Sequence, residues 1–194
     1  MTTLSLRRRS GSRQRGFSLI EVLVSMVVLT VGLVSLLGVF ALALSKTQVS
    51  QEDMIAKRIA QEAYEAIFTA RETANIQWAQ IQNTGTGSVP DGIFLPGLQP
   101  IYNPGTDGII GTADDSSAGL ETLLLPGPDG IVGTADDISL QLTNYQRSIA
   151  ITPVVTGGAT DADLRTITIT VQYQTSQSKF PKTYVLSGFI SQYR

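Results

Sequence analysis

The stretch Gly16-Phe17-Ser18-Leu19-Ile20-Glu21-Val22-Leu23-Val24 decides how the rest of the chain is read. Five arginines precede it (Arg7, Arg8, Arg9, Arg13 and Arg15), with no acid among them. Behind it, residues 22–45 contain no charged side chain. As a helix they span roughly 36 Å, enough to cross a bilayer with some tilt. The arginines predict a cytoplasmic N-terminus. Glu21 is the anomaly. A lone carboxylate at the border of an apolar span is costly in lipid and asks for a compensating charge.

An ordinary secretory signal accounts poorly for this segment. The apolar run is too long, and no small-x-small cleavage site follows it. A plain signal anchor fits the length but leaves Glu21 as an acid reaching for the headgroups.

Composition narrows the chemistry. The chain has 194 residues and a formal net charge of −2. Fourteen basic residues fall to nine once the five leading arginines are set aside, against sixteen acids, so the remainder carries −7. Phosphate would be repelled, which argues against nucleic-acid binding. There is no histidine and no cysteine. The commonest general base, the Ser-His-Asp arrangement and thiolate chemistry are thereby excluded. Any metal would be held by oxygen, which favours calcium or magnesium.

Arg15-Gly16-Phe17-Ser18-Leu19-Ile20-Glu21 followed by an apolar run resembles the processing and N-methylation motif of type IV pilins and type II secretion pseudopilins. The resemblance covers about thirty residues. It implies a leader at 1–16, cut by a prepilin peptidase between Gly16 and Phe17, and methylation of the new Phe17 amine. Gly16 suits a scissile site because it has no side chain to obstruct the enzyme. In a stacked filament the Phe17 ammonium of one subunit and the Glu21 carboxylate of a neighbour neutralise each other. A buried unpaired charge costs several kcal/mol, so this pairing fixes assembly register. The implied partners are the prepilin peptidase, other pilin subunits and the inner membrane before assembly. Relatives often carry a proline in this helix; here Gly32 and Gly38 stand instead, each weakening it by about 1 kcal/mol relative to alanine.

From Lys46 to about Gln82 the pattern turns amphipathic. Val49, Ile55, Ile59, Ala63, Ala66, Ile67, Ala70 and Ala74 recur at three- and four-residue steps. This predicts one long helix: 17–45 apolar all round, 46–82 docked on a soluble domain. Ile76, Trp78 and Ile81 are expected to pack its end.

Residues 83–144 form a Gly-, Pro- and Asp-rich loop region with an internal repeat. PGTDGIIGTADD at 104–115 returns as PGPDGIVGTADD at 126–137, identical at ten of twelve positions. Each copy brings three carboxylates: Asp107, Asp114 and Asp115, then Asp129, Asp136 and Asp137. Calcium takes six to eight oxygens in flexible geometry, so these six acids are candidate calcium ligands. The competing reading is Asx-turns closing short loops. The spacing matches neither an EF-hand nor a P-loop. Ile109, Ile110, Ile131 and Val132 are expected to pin both loops onto the domain.

The C-terminal part, 145–194, alternates with period two, as a half-buried antiparallel sheet does. Three strands are expected, Tyr145 to Val155, Leu164 to Tyr173 and Thr183 to Tyr193. Ile138 to Leu142 is a candidate fourth. The fold class is α+β: a long N-terminal helix packed on a small antiparallel sheet, as in pilins. The strand Arg165 to Tyr173 and the segment Val28 to Leu33 resemble PilV-like minor pilins. That resemblance implies a minor pilin, a non-enzymatic subunit held in the inner membrane and then displayed on a filament. A minor secretion pseudopilin shares the layout. A membrane-tethered hydrolase is disfavoured, because adjacent aspartates such as Asp114 and Asp115 diverge. A calcium-dependent adhesin is compatible with the filament reading.

Overall fold

A computed structural model describes residues 16–87, 91–175 and 177–193. The arginines of the expected leader lie outside the described residues. The chain forms two compact units, Met1–Lys46 and Thr47–Arg194.

One helix, α1 (Leu19–Glu72), contributes to both units and runs unbroken through Gly32 and Gly38. In the first unit it is long and apolar enough to cross a membrane. Its large side chains from Leu19 to Leu44 are exposed in the isolated chain. The hydroxyls within it are turned back onto the helix. Ser25 donates to the Glu21 carbonyl at 2.7 Å, Thr30 to Val27 at 2.9 Å and Ser35 to Val31 at 2.8 Å. That satisfies polar groups which lipid could not.

In the second unit, α1 buries Ala56, Ile59, Ala60, Ala63, Ile67 and Ala70. The small alanines share one core with the larger side chains of the sheet. Opposite them stand Ile149 and Ile151, then Ile167, Ile169 and Val171, and Ile190. Gly188 is a point of close approach, because a Cβ there would run into the Tyr64 hydroxyl. The helix follows β6 (Lys182–Ser191) in direction. Asp53 pairs with Lys182 at 3.1 Å, and Arg71 donates to the Ser191 carbonyl at 2.5 Å.

The helix ends at Glu72, about ten residues before the expected Gln82. The periodicity carries on through Ala74, but the backbone turns there. Ala74 adopts φ +58°, its N–H reaches the Arg71 carbonyl, and the Asn75 N–H reaches that of Ala70. This is a Schellman termination with alanine where glycine is usual. Ile76 and Ile81 are buried beyond it, as expected. Trp78, in a 3₁₀ turn (Trp78–Gln80), lies partly buried against the core, with the Arg165 guanidinium 4.2 Å above its ring.

The main sheet has four strands in the order β1-β4-β5-β6: β1 (Gln99–Pro100), β4 (Tyr145–Thr156), β5 (Ala159–Tyr173) and β6. Both β4–β5 and β5–β6 are antiparallel, with a register break between Pro153 and Val155. The segment offered as a fourth strand does not join this sheet. As β3 (Ile138–Gln141) it pairs instead with β2 (Thr122–Leu125) in a separate hairpin. The place beside β4 is taken by β1, too short to leave a periodic signal.

Candidate functional site

Two sets of residues carry the functional expectations. In the first unit, Gly16, Phe17 and Ser18 precede the first helical turn. The expected scissile peptide is therefore next to non-helical backbone, and among the described residues nothing beyond its chain neighbours lies within 4 Å of where a Gly16 side chain would be. Phe17 is 81% exposed. Ser18 begins the helix: its Oγ accepts the Glu21 N–H at 3.3 Å, as an N-cap does. Glu21 sits in the first turn, where the helix dipole favours an acid by about 0.3–1 kcal/mol. The Ser-x-x-Glu spacing carries the capping-box signature, so Ser18 was legible as a cap as well as a motif member.

The second set is the doubled aspartate loop. Both copies close the same way. Asp107 Oδ1 accepts the Ile109 N–H, and Asp129 Oδ1 that of Ile131, each at 2.8 Å. Asp115 Oδ2 accepts from Gly111 N, and Asp137 Oδ2 from Gly133 N, each at 2.6 Å. Thr112 donates to Asp114 at 2.7 Å and Thr134 to Asp136 at 2.6 Å. Gly111 and Gly133, at φ +90° and +97°, make the bend that a side chain would strain. These are Asx-type turns built by the local sequence.

The hydroxyls set the acidity. Thr112, then Thr106, holds the Asp114 carboxyl down at about 2. Thr134 lowers Asp136 in the same way. Pro128 replaces Thr106 in the second copy and brings no hydroxyl.

Asp107, Asp114 and Asp115 come together, each offering one oxygen within 4.8 Å of the others. One oxygen-liking cation would fit that triad by ligand type. Each of the three carboxylates already accepts at least one hydrogen bond from the turn. Among the described residues, Asp129, Asp136 and Asp137 form no such group. The six acids are thus split between two separate loops.

The loops part company in how they pack. Ile109 and Ile110 are 6% and 7% exposed, whereas Ile131 and Val132 are 61% and 57% exposed. Only the first copy is pinned onto the domain, which corrects the expectation for the second. The Gly111 carbonyl of the first copy accepts the Leu95 N–H at 2.8 Å. The second copy forms the connection of the β2–β3 hairpin.

Behind the first loop lies Arg147, on the core-facing row of β4 and buried. Its position on the Ile149–Ile151 parity was readable, but its surroundings were not. Burial pulls its pKa down, against the pull of Glu121, Glu62 and Asp115. Glu121 in turn is raised by burial and by Glu62. A cavity of about 190 Å³ separates Arg147 from the loop residues Thr112 and Asp115. It has room and polar lining for a few ordered waters.

Residues 11–37 match the family described as the prokaryotic N-terminal methylation motif. No curated protein and no solved structure matches the chain. The match covers the N-terminal segment only, and it gives that segment the character of a type IV pilin-like precursor. Together with the apolar helix and the antiparallel sheet, the architecture is α+β and pilin-like.

Proposed function

We propose that the chain is a minor pilin, a structural subunit processed after Gly16 and built into a type IV pilus. The observation that carries this reading is the methylation motif over residues 11–37, placed at the head of a helix with no buried residue in its apolar half. Such a helix needs lipid before assembly and neighbouring helices afterwards. The prepilin peptidase cuts the exposed peptide before Phe17. The new ammonium of Phe17 then meets the Glu21 carboxylate of an adjacent subunit, so the charge cost of each in a dry bundle is met by the other. Nothing in this scheme calls for catalysis by the chain itself. Proteins carrying this motif serve as filament or pseudopilus subunits.

The test is mass spectrometry of the N-terminus in membrane and sheared-filament fractions. A chain starting at N-methylated Phe17 in sheared filaments is the expected result. Mature material starting at Met1 or Thr2 would overturn the processing step. A processed chain confined to the cell envelope would shift the reading to a secretion pseudopilin.

A further inference from the structure

We infer that the second aspartate loop, residues 126–137, docks onto another protein, one that offers the kind of seat the first loop already occupies in this chain. The first loop is the template. Its apolar pair, Ile109 and Ile110, is buried in the core that holds Phe94 and Ile149. A Cβ on Gly111 would lie 2.5 Å from Ile149 Cδ1 and 3.5 Å from Phe94 Cδ1, so the bend itself rests on those two side chains. The Gly111 carbonyl accepts the Leu95 N–H at 2.8 Å. Asp115, buried at the end of the loop, interacts with the charge of Arg147. The seat thus has three parts: an apolar wall, one backbone donor and a cation.

The second loop repeats what such a seat receives. It is identical to the first at ten of twelve positions. Asp129, Thr134, Asp136 and Asp137 close its turns by the bonds seen in the first copy. Because those bonds are local, the loop keeps its shape without a seat and has little ordering left to lose on binding. Ile131 and Val132 are 61% and 57% exposed. Among the described residues, no hydrogen bond reaches the carbonyl of Gly133, the counterpart of Gly111.

Charge narrows the partner. Residues 126–137 carry three acids and no base, and the chain has no lysine or arginine between Arg71 and Arg147. Asp129 and Asp136 are exposed alongside the apolar pair. The partner therefore presents lysine or arginine at the rim of an apolar hollow, where opposite charge steers the encounter and fixes its register. A second copy of this chain is a poor occupant. Its own seat is filled by its first loop, and loop against loop would bring the acids of both together with no base among them. The inference stands on the pair of loops and not on the filament reading.

The experiment places a photo-crosslinking phenylalanine at Ile131 or Val132 of the full chain, in the membranes of the cell that makes it. The same probe at Phe180, 79% exposed in the turn between β5 and β6, controls for exposure alone. Both loop sites are expected to give adducts to one and the same other protein, on a segment that combines apolar side chains with lysine or arginine. Salt at about 0.5 M should lower the yield about threefold or more, because exposed charges are then screened. Asp129→Asn with Asp136→Asn keeps an acceptor oxygen for each turn, removes the charge and should lower the yield likewise. With the probe at Val132, Ile131→Ser should abolish the adduct and leave the melting temperature unchanged, because Ile131 is exposed. With the probe at Ile131, Pro128→Thr with Val132→Ile gives the second loop the first loop's residues and should preserve the adduct. No adduct from the loop, the same adducts from Phe180, or adducts that survive Ile131→Ser overturn the inference. A mapped segment without lysine or arginine, or a yield indifferent to salt, overturns the chemistry assigned to the seat. Adducts to a second copy or to lipid overturn the choice of partner. N-terminal processing is read separately, so its failure would leave this result intact.

Discussion

Residues 104–115 and 126–137 differ at two positions, Thr106 against Pro128 and Ile110 against Val132. Their turns share the Asp–Ile, Asp–Gly and Thr–Asp bonds, while the Gly105 N–H bond to Asp115 Oδ1 has no counterpart at Asp137 among the described residues. Yet the first copy contributes Ile109, Ile110, Thr112 and Asp115 to the buried interior, and the second leaves its counterparts largely at the surface. The loop geometry is therefore local, and the burial is not. A seat against Phe94 and Ile149 exists once, and the first copy fills it. The second copy is held at both ends by a hairpin of four-residue strands and has no equivalent seat.

Substitutions at matched positions sharpen this contrast. The largest difference is expected from the apolar pair. Ile110→Ala should cost about 2–5 kcal/mol of unfolding free energy, while Val132→Ala should stay within about 0.5 kcal/mol. Denaturant unfolding of the full chain in detergent measures both. Equal effects would mean that the second loop is also docked.

The glycines come next. Gly111→Ala and Gly133→Ala suffer similar backbone strain, at φ +90° and +97°. Only at Gly111 would the added Cβ meet Ile149, at 2.5 Å from its Cδ1; at Gly133, among the described residues, nothing beyond its chain neighbours lies within 4 Å. Gly111→Ala should exceed Gly133→Ala by about 1–3 kcal/mol, the usual range for overpacking. A zero difference in the same assay would remove the clash from the account.

The smallest expected effect is electrostatic. Asp114 is held at about 2 in the fold, below its ordinary value of 3.8. A lowered folded pKa gives stability that is present above the unfolded value and is lost as pH falls through the folded one. The melting temperature should therefore drop between about pH 4 and pH 2. Asp114→Asn should flatten that limb more than Asp136→Asn, because Thr106 has no counterpart hydroxyl in the second copy. Both carboxylates face solvent, so screening keeps either change small.

Much of the fold was legible because its signals are periodic. β-Branched residues at Ile167, Ile169 and Val171 marked β5 and its buried face without ambiguity. The alanine and isoleucine steps from Ile59 to Ala70 marked the docked face of α1. Less regular features were not legible. β1 spans only Gln99 and Pro100. Asn83 completes a sheet edge with a side chain, from more than sixty residues away in sequence. Ala74 ends a helix in a conformation usually given to glycine, and no local residue announces it. At the candidate sites, the processing motif was plain from Gly16 to Glu21. The aspartate loops were recognisable as a pair, but not as one docked and one free.

The sequence by itself determined what local chemistry can enforce. It set an apolar helix with a single acid in its first turn, two Asx-closed loops and alternating strands. Each follows from side-chain size, hydrogen-bonding groups and spacing within a dozen or so residues. The tertiary structure alone decided which of two near-identical loops is buried, why Arg147 sits inside the core, and how the edge of β4 is covered. Those outcomes depend on what distant segments place opposite a residue: a seat that can be filled once, carboxylates whose charge opposes the effect of burial on Arg147, and β1 and Asn83 lying along the outer edge of β4.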